Sequence, residues 1–142
     1  MMFSGKKGPL LRPVPVLALG SLMTQRIVAV IDNDSSLLKA LNRLLMAHGY
    51  VVHPFSSAEA FLRSDTPRKA SCLVLDIHLD GMSGLELQRE LTRTGSALPV
   101  IFMTAYDSVV SEQQARDLGC VAYLLKPFTA SVLVEAIEQG GV

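Results

Sequence analysis

Cysteine is scarce in this chain: the two present, Cys72 and Cys120, sit in apolar company, with no CxxC spacing and no ligand cluster beside them. That pattern speaks against a metal centre built on cysteine. Both thiols are expected in the core of a protein kept in a reducing cytoplasm. Charge of one sign is missing too, since 13 basic and 13 acidic residues cancel and no basic stripe stands out. Direct nucleic-acid binding needs clustered Lys and Arg to displace counterions, so it is not expected of this chain. No apolar stretch is long enough to span a bilayer, and there is no internal repeat or low-complexity tract. One segment, 10–23, follows Lys6 and Lys7 as a signal peptide would, but Arg12, Pro13 and Pro15 interrupt it and no small-residue cleavage site follows. Residues 1–24 are expected to form a disordered extension, with Met23 as an alternative natural start.

What is there reads as one well-filled domain. The chain has 142 residues, 49% hydrophobic and 18% charged, enough to bury a real core. From Gln25 onward, short β-branched runs alternate with longer amphipathic stretches. Strands are expected at Arg26–Ile31, Tyr50–Pro54, Cys72–Leu75, Val100–Met103 and Val121–Leu125. After Arg26 the first is apolar without interruption, which suits a strand buried on both faces. Helices are expected after Asp34 or Ser35 as cap, with Leu37, Leu41, Leu44 and Leu45 at helical spacing up to Gly49, and after Ser56 or Ser57, with Ala58, Phe61 and Leu62. Three more carry Leu85, Leu87 and Leu91, span Ser108–Leu118 (weakly amphipathic), and span Ala130–Gln139. Ser64–Ala70, polar and holding Pro67, is expected to be a loop. Five β-α units in succession imply an α/β fold: a doubly wound parallel sheet with helices on both faces and right-handed crossovers. The chain ends at the fifth helix, so no second domain is expected.

Four polar residues sit directly after those strands: Asp32, Asp76, Thr104 and Lys126. Any one of them alone reads as a helix cap or a surface residue; it is their joint placement that carries the inference. In a doubly wound sheet, ligands bind at the carboxyl ends of the strands near the point where strand order reverses. If the first and third strands are neighbours, about 4.8 Å apart, Asp32 and Asp76 converge. Clustered carboxylates repel, and a hard divalent cation such as magnesium relieves the repulsion. A carboxylate can attack phosphorus to give an aspartyl phosphate. A Lys and a Thr hydroxyl can then bind the oxygens of the transferred group.

The stretches Val-Ile-Asp-Asn-Asp (30–34), Leu-Val-Leu-Asp-Ile-His-Leu-Asp-Gly-Met-Ser-Gly-Leu-Glu-Leu (73–87), Phe-Met-Thr-Ala-Tyr (102–106) and Tyr-Leu-Leu-Lys-Pro-Phe (123–128) resemble, in this order and at these separations, the receiver domains of two-component response regulators. The resemblance covers Gln25 to Gln139 and places a receiver unit at 25–142. It implies a flavodoxin-like sheet of order 2-1-3-4-5. It also implies a phosphoacceptor, Asp76, and a magnesium pocket of Asp32, Asn33, Asp76 and the backbone carbonyl of His78, whose imidazole is expected to face solvent. Thr104 would be the switch hydroxyl, Lys126 its salt-bridging companion, and Tyr123 the aromatic whose rotamer follows Thr104. The Lys126–Pro127 bond would be cis, and Ala105 would be small to leave the phosphate accessible. The implied partners are a sensor histidine kinase and either a downstream protein or a second copy, met through the face of the fourth helix, fifth strand and fifth helix.

Two positions depart from the family pattern. Asn33 stands where a second acid is usual, which lowers the expected metal affinity. Asp80 stands where proline is usual, which loosens the loop. Two other readings remain open. Asn33 suits a degenerate receiver that signals by protein contact alone. Asp32-Asn33-Asp34 looks like the DxD motif of haloacid-dehalogenase-type phosphatases, with Asp32 as nucleophile and Asp34 as acid or base. That reading leaves Asp76 unexplained and lacks a cap domain. A flavin binder is disfavoured because carboxylates after the first strand would repel its phosphate.

Overall fold

The computed structural model describes residues 26–141, so the expectations for 1–24 lie outside the described residues. Strands β1 (Ile27–Ile31), β2 (Val51–Phe55), β3 (Cys72–Asp76), β4 (Val100–Thr104) and β5 (Ala122–Leu125) alternate with helices α1 (Ser35–Ala47), α2 (Ala58–Arg63), α3 (Gly84–Arg93), α4 (Val109–Asp117) and α5 (Ala130–Gln139). All strand pairs are parallel and the order is 2-1-3-4-5, as the resemblance implied.

Alternate residues of the central strands feed two separate cores. Ala29, Ile31, Leu73, Leu75, Val100 and Phe102 pack with Phe61 of α2, Leu87 of α3 and Ala115 of α4. Val28, Val30, Cys72, Val74, Ile101 and Met103 pack with Leu41 and Leu45 of α1 and Leu133 and Ile137 of α5. Side chains alternate across a strand, so a near-continuous apolar run is required when both faces are covered. Each Val, Leu, Ile, Phe or Met among them contributes about 1.5–3 kcal/mol on burial.

Local signals set the helix ends. Asp34 caps α1, accepting from the N–H groups of Ser36 and Leu37, and Ser57 caps α2. Gly49 follows α1 at φ +89°, a left-handed position that suits glycine after a helix. Ser83 and Glu86 form a reciprocal capping box at α3.

Three expectations are corrected. The segment 64–70 is not all loop: Thr66–Lys69 makes a single helical turn, because Pro67 falls in its first turn, where a missing N–H costs nothing. Cys120 is only half-buried, and Leu62 is exposed, since the short α2 has room for few inward positions. Cys72 is buried as expected, and burial pushes its thiol up to about 12.

Gly84 begins α3 against the strand that ends the site. A Cβ there would lie 2.2 Å from the Asp76 carbonyl oxygen and 3.0 Å from the Ile77 Cα, both backbone atoms that cannot step aside. Gly84→Ala is therefore expected to cost about 3 kcal/mol, at the upper end of overpacking, measured by urea unfolding. Wild-type stability in that variant would show that α3 can shift away from β3.

Candidate functional site

Register brings the polar residues to one edge. Ile31 pairs with Leu75, so Asp32 and Asp76, one residue further along each strand, lie level. Asp76 pairs with Met103 and Thr104 with Leu125, which brings Thr104 and then Lys126 one step further across the same edge. They open on a cleft of about 310 Å³ lined by Asp32, Asn33, Asp34, Asp76, His78, Ala105, Tyr106 and Lys126. The Lys126–Pro127 bond is cis.

The centre of the cleft is a three-group cluster. Lys126 Nζ donates to Asp32 Oδ2 at 2.5 Å and to Asp76 Oδ2 at 3.2 Å. The other oxygen of each carboxylate accepts a backbone N–H two residues on, from Asp34 at 2.8 Å and from His78 at 3.1 Å. Asp32 and Asp76 are only 1% and 5% exposed, whereas Asn33 and Ala105 are exposed at the mouth. Burial, together with the charge of Asp32, holds the Asp76 carboxyl above its ordinary value, against the pull of His78 N–H and Lys126. Burial alone would pull the Lys126 ammonium down, but its hydrogen bond to Asp32 and the charges of both carboxylates hold it up.

This donor set suits an oxygen-liganded hard cation. Two carboxylates carry one charge more than Lys126 neutralises, and the Asn33 amide borders the same opening. The chemistry open to the cluster is nucleophilic: a carboxylate beside an accessible cleft, with an ammonium ready to follow negative charge.

The remaining expected residues lie around this centre. Thr104 is fully buried; its hydroxyl accepts from Tyr106 N–H at 3.1 Å and donates to the Tyr106 carbonyl at 3.3 Å. Tyr123 packs against the core shared with α4, and its enclosed hydroxyl makes no hydrogen bond among the described residues. Burial raises its phenol, with the charges of Asp107 and Glu112 adding to the effect. His78 is exposed as expected, but its ring meets Tyr106 edge-on, centroids 5.0 Å apart. Asp34 is occupied with capping α1, so it is not placed as the acid or base of a phosphatase. Sequence reasoning missed Tyr106, whose position two residues beyond Thr104 was the available signal.

A parallel sheet that gathers two carboxylates, a hydroxyl and an ammonium at its carboxyl edge has the arrangement of a receiver domain. The family model described as the response regulator receiver domain matches residues 28–138, and the chain belongs to that family. This is a signalling fold, not a classical enzyme family. Nodulation protein W of Bradyrhizobium diazoefficiens is 39% identical over 114 residues, covering 80% of this chain and 50% of that protein. Transcriptional regulatory protein FixJ of Azorhizobium caulinodans is 37% identical over 111 residues, covering 78% and 53%. Among solved structures, response regulator StyR superposes with a TM-score of 0.76 at 39% identity, over 82% of this chain and 59% of that one. FixJ-N gives 0.73 at 32% identity, over 82% and 93%. The chain thus spans about half the length of the curated relatives it matches. Among the described residues, no helix is long and apolar enough to cross a membrane.

The charge arrangement predicts opposite effects at its two poles. Asp76→Asn is expected to stabilise the fold by about 1 kcal/mol at pH 7, since a buried charge is replaced by a neutral isostere. Because the folded pKa of Asp76 is raised, the penalty of its charge is present above that pKa and gone below the unfolded value. The gain should therefore shrink as pH falls toward the ordinary carboxylate range. Lys126→Met leaves the two carboxylates uncompensated and should cost about 3 kcal/mol at pH 7. Thermal melts of both variants between pH 4 and 8 (about the range in which carboxylates titrate) check this, and a pH-independent difference for Asp76→Asn would refute it.

Proposed function

We propose that this chain is a phosphoaccepting switch, residues 25–142 forming the unit, that takes a phosphoryl group on Asp76 from a sensor histidine kinase or a small acyl phosphate. The observation that carries the reading is the sharing of the Lys126 ammonium by Asp32 and Asp76 beside an open cleft. In the transfer, a carboxylate oxygen of Asp76 forms a bond to phosphorus. The donor's bond to phosphorus breaks, and the leaving group departs with the electron pair. Asp32, Asn33, Asp76 and the His78 carbonyl would hold magnesium, which when bound supplies positive charge against the phosphoryl oxygens.

Lys126 is positioned to pass from neutralising Asp76 to binding the new phosphoryl oxygens. Thr104 must release the Tyr106 carbonyl before its hydroxyl can donate to the same group. That movement opens space beside Tyr123, whose hydroxyl has no hydrogen bond to lose, and it shifts the population of the α4–β5–α5 face. This face offers the partner surface: Val109 is 84% exposed and Val110 67%, while Ala115 alone is fully buried in α4. The recipient is a downstream protein or a second copy of this chain. Asn33 favours one variant of this reading, a receiver that binds partners without taking phosphate, because a neutral amide replaces a carboxylate at the metal pocket. The setting is the cytoplasm.

The deciding measurement is intact mass after incubation with acetyl phosphate and magnesium. A gain of one phosphoryl group is expected in the wild type and none in Asp76→Ala. Asn33→Asp should lower the magnesium concentration for half-maximal labelling about tenfold, the effect of one added ligand charge. Labelling only in Asn33→Asp would instead establish the contact-only receiver.

A further inference from the structure

Glu59 lies in the first turn of α2, where an acidic residue ordinarily serves the helix dipole alone. Here it also reaches out of its helix: Oε2 accepts the Met82 N–H at 2.8 Å, across 23 residues of sequence. That hydrogen bond is the main cause holding the Glu59 carboxyl below its ordinary value. Gly81, next to Met82, has φ +73°, and a Cβ there would sit 2.6 Å from Glu59 Oε2. The carboxylate therefore lies against a backbone turn that only glycine leaves open.

The segment it grips is the connection from β3 to α3. That connection is tied at its start by His78 N–H to Asp76 Oδ1 and closed at its end by Gly84 N–H to the Ile77 carbonyl. Leu79 and Met82 rest on the core. Asp80, between them, is exposed and joins none of the ion pairs among the described residues, so it adds no restraint. Between the two ends, Ser83 N–H is taken by Glu86 of α3 itself, and Glu59 supplies the one side-chain hydrogen bond to this backbone from outside β3 and α3 among the described residues.

We infer that Glu59 is a positioning residue for the phosphoryl-transfer site: it clamps the β3–α3 connection at Met82, keeping the His78 backbone in place beside Asp76. The inference rests on the phosphoacceptor reading above. Glu59 touches neither phosphorus donor nor Asp76; it acts through the loop.

The test compares wild type with Glu59→Ala, with Glu59→Gln, which keeps an oxygen acceptor, and with Gly81→Ala, whose methyl displaces the carboxylate without removing it. In metal-free protein, amide exchange at Met82 is expected to quicken about tenfold in Glu59→Ala, a local opening. With acetyl phosphate as donor, the magnesium concentration for half-maximal labelling should rise about fivefold, since small misplacements at a reacting centre are costly. Glu59→Gln should fall between Glu59→Ala and wild type, and Gly81→Ala should follow Glu59→Ala. A wild type that labels on Asp76 alongside a Glu59→Ala of unchanged magnesium requirement overturns the inference and leaves the phosphoacceptor reading standing, even if Met82 exchanges faster. A wild type that takes no label removes that reading, and the inference falls with it.

Discussion

Two carboxylates, nearly excluded from water, stand level on neighbouring strands, and one ammonium reaches both. At the roughly 4.8 Å spacing of paired strands, their repulsion in a low-dielectric setting would reach several kcal/mol without compensation. Lys126 supplies that compensation from the far edge of the sheet, and it does so incompletely. Its hydrogen bond is shorter to Asp32 than to Asp76, and burial with the charge of Asp32 holds the Asp76 carboxyl above its ordinary value. Among the described residues, the surface ion pairs Lys69–Asp65, Arg93–Glu90 and Arg116–Glu112 are exposed pairs within single helices or turns and carry little stability by comparison. The cluster therefore keeps a residual negative charge beside an open cleft.

The rest of the edge is arranged around that charge. Thr104 holds the start of the β4–α4 connection through Tyr106, and Tyr106 in turn meets His78 from the β3–α3 connection. Loops from two strands thus touch across the mouth of the cleft. Beyond them, α4 is fastened to the core chiefly by Ala115 and carries Val109 and Val110 in solvent. A helix with so little buried surface shifts at lower cost than α3, which buries Leu85, Leu87 and Leu91. The sheet thus carries a firmly anchored α3 beside a loosely anchored α4.

Much of this was legible in the chain before folding was considered. The uninterrupted apolar runs at Val28–Ile31 and Cys72–Leu75 announce strands covered on both sides. Asp34, Ser57 and Gly49 mark helix ends by their own hydrogen-bonding and backbone preferences. Local chemistry was less readable where two signals competed. Pro67 suggested a break, yet it begins a helical turn. Cys120 has apolar neighbours in sequence but only a half-covered place at the head of β5. Glu59 gave no local sign, because an acid in a first helical turn is ordinary, and Tyr106 gave only its place two residues beyond Thr104.

The sequence by itself determined the alternation of strands and helices, the ends of most elements, and which polar residues would stand at strand termini. These are consequences of side-chain periodicity and backbone preference, both read within a few residues. Tertiary structure alone decided that Lys126 reaches across to Asp32, 94 residues away, in preference to Asp76. It alone decided that Thr104 is held by Tyr106 and that Glu59 meets Met82. Such contacts depend on strand register and on how far each helix packs from the sheet, distances that the whole core sets together and no local stretch encodes.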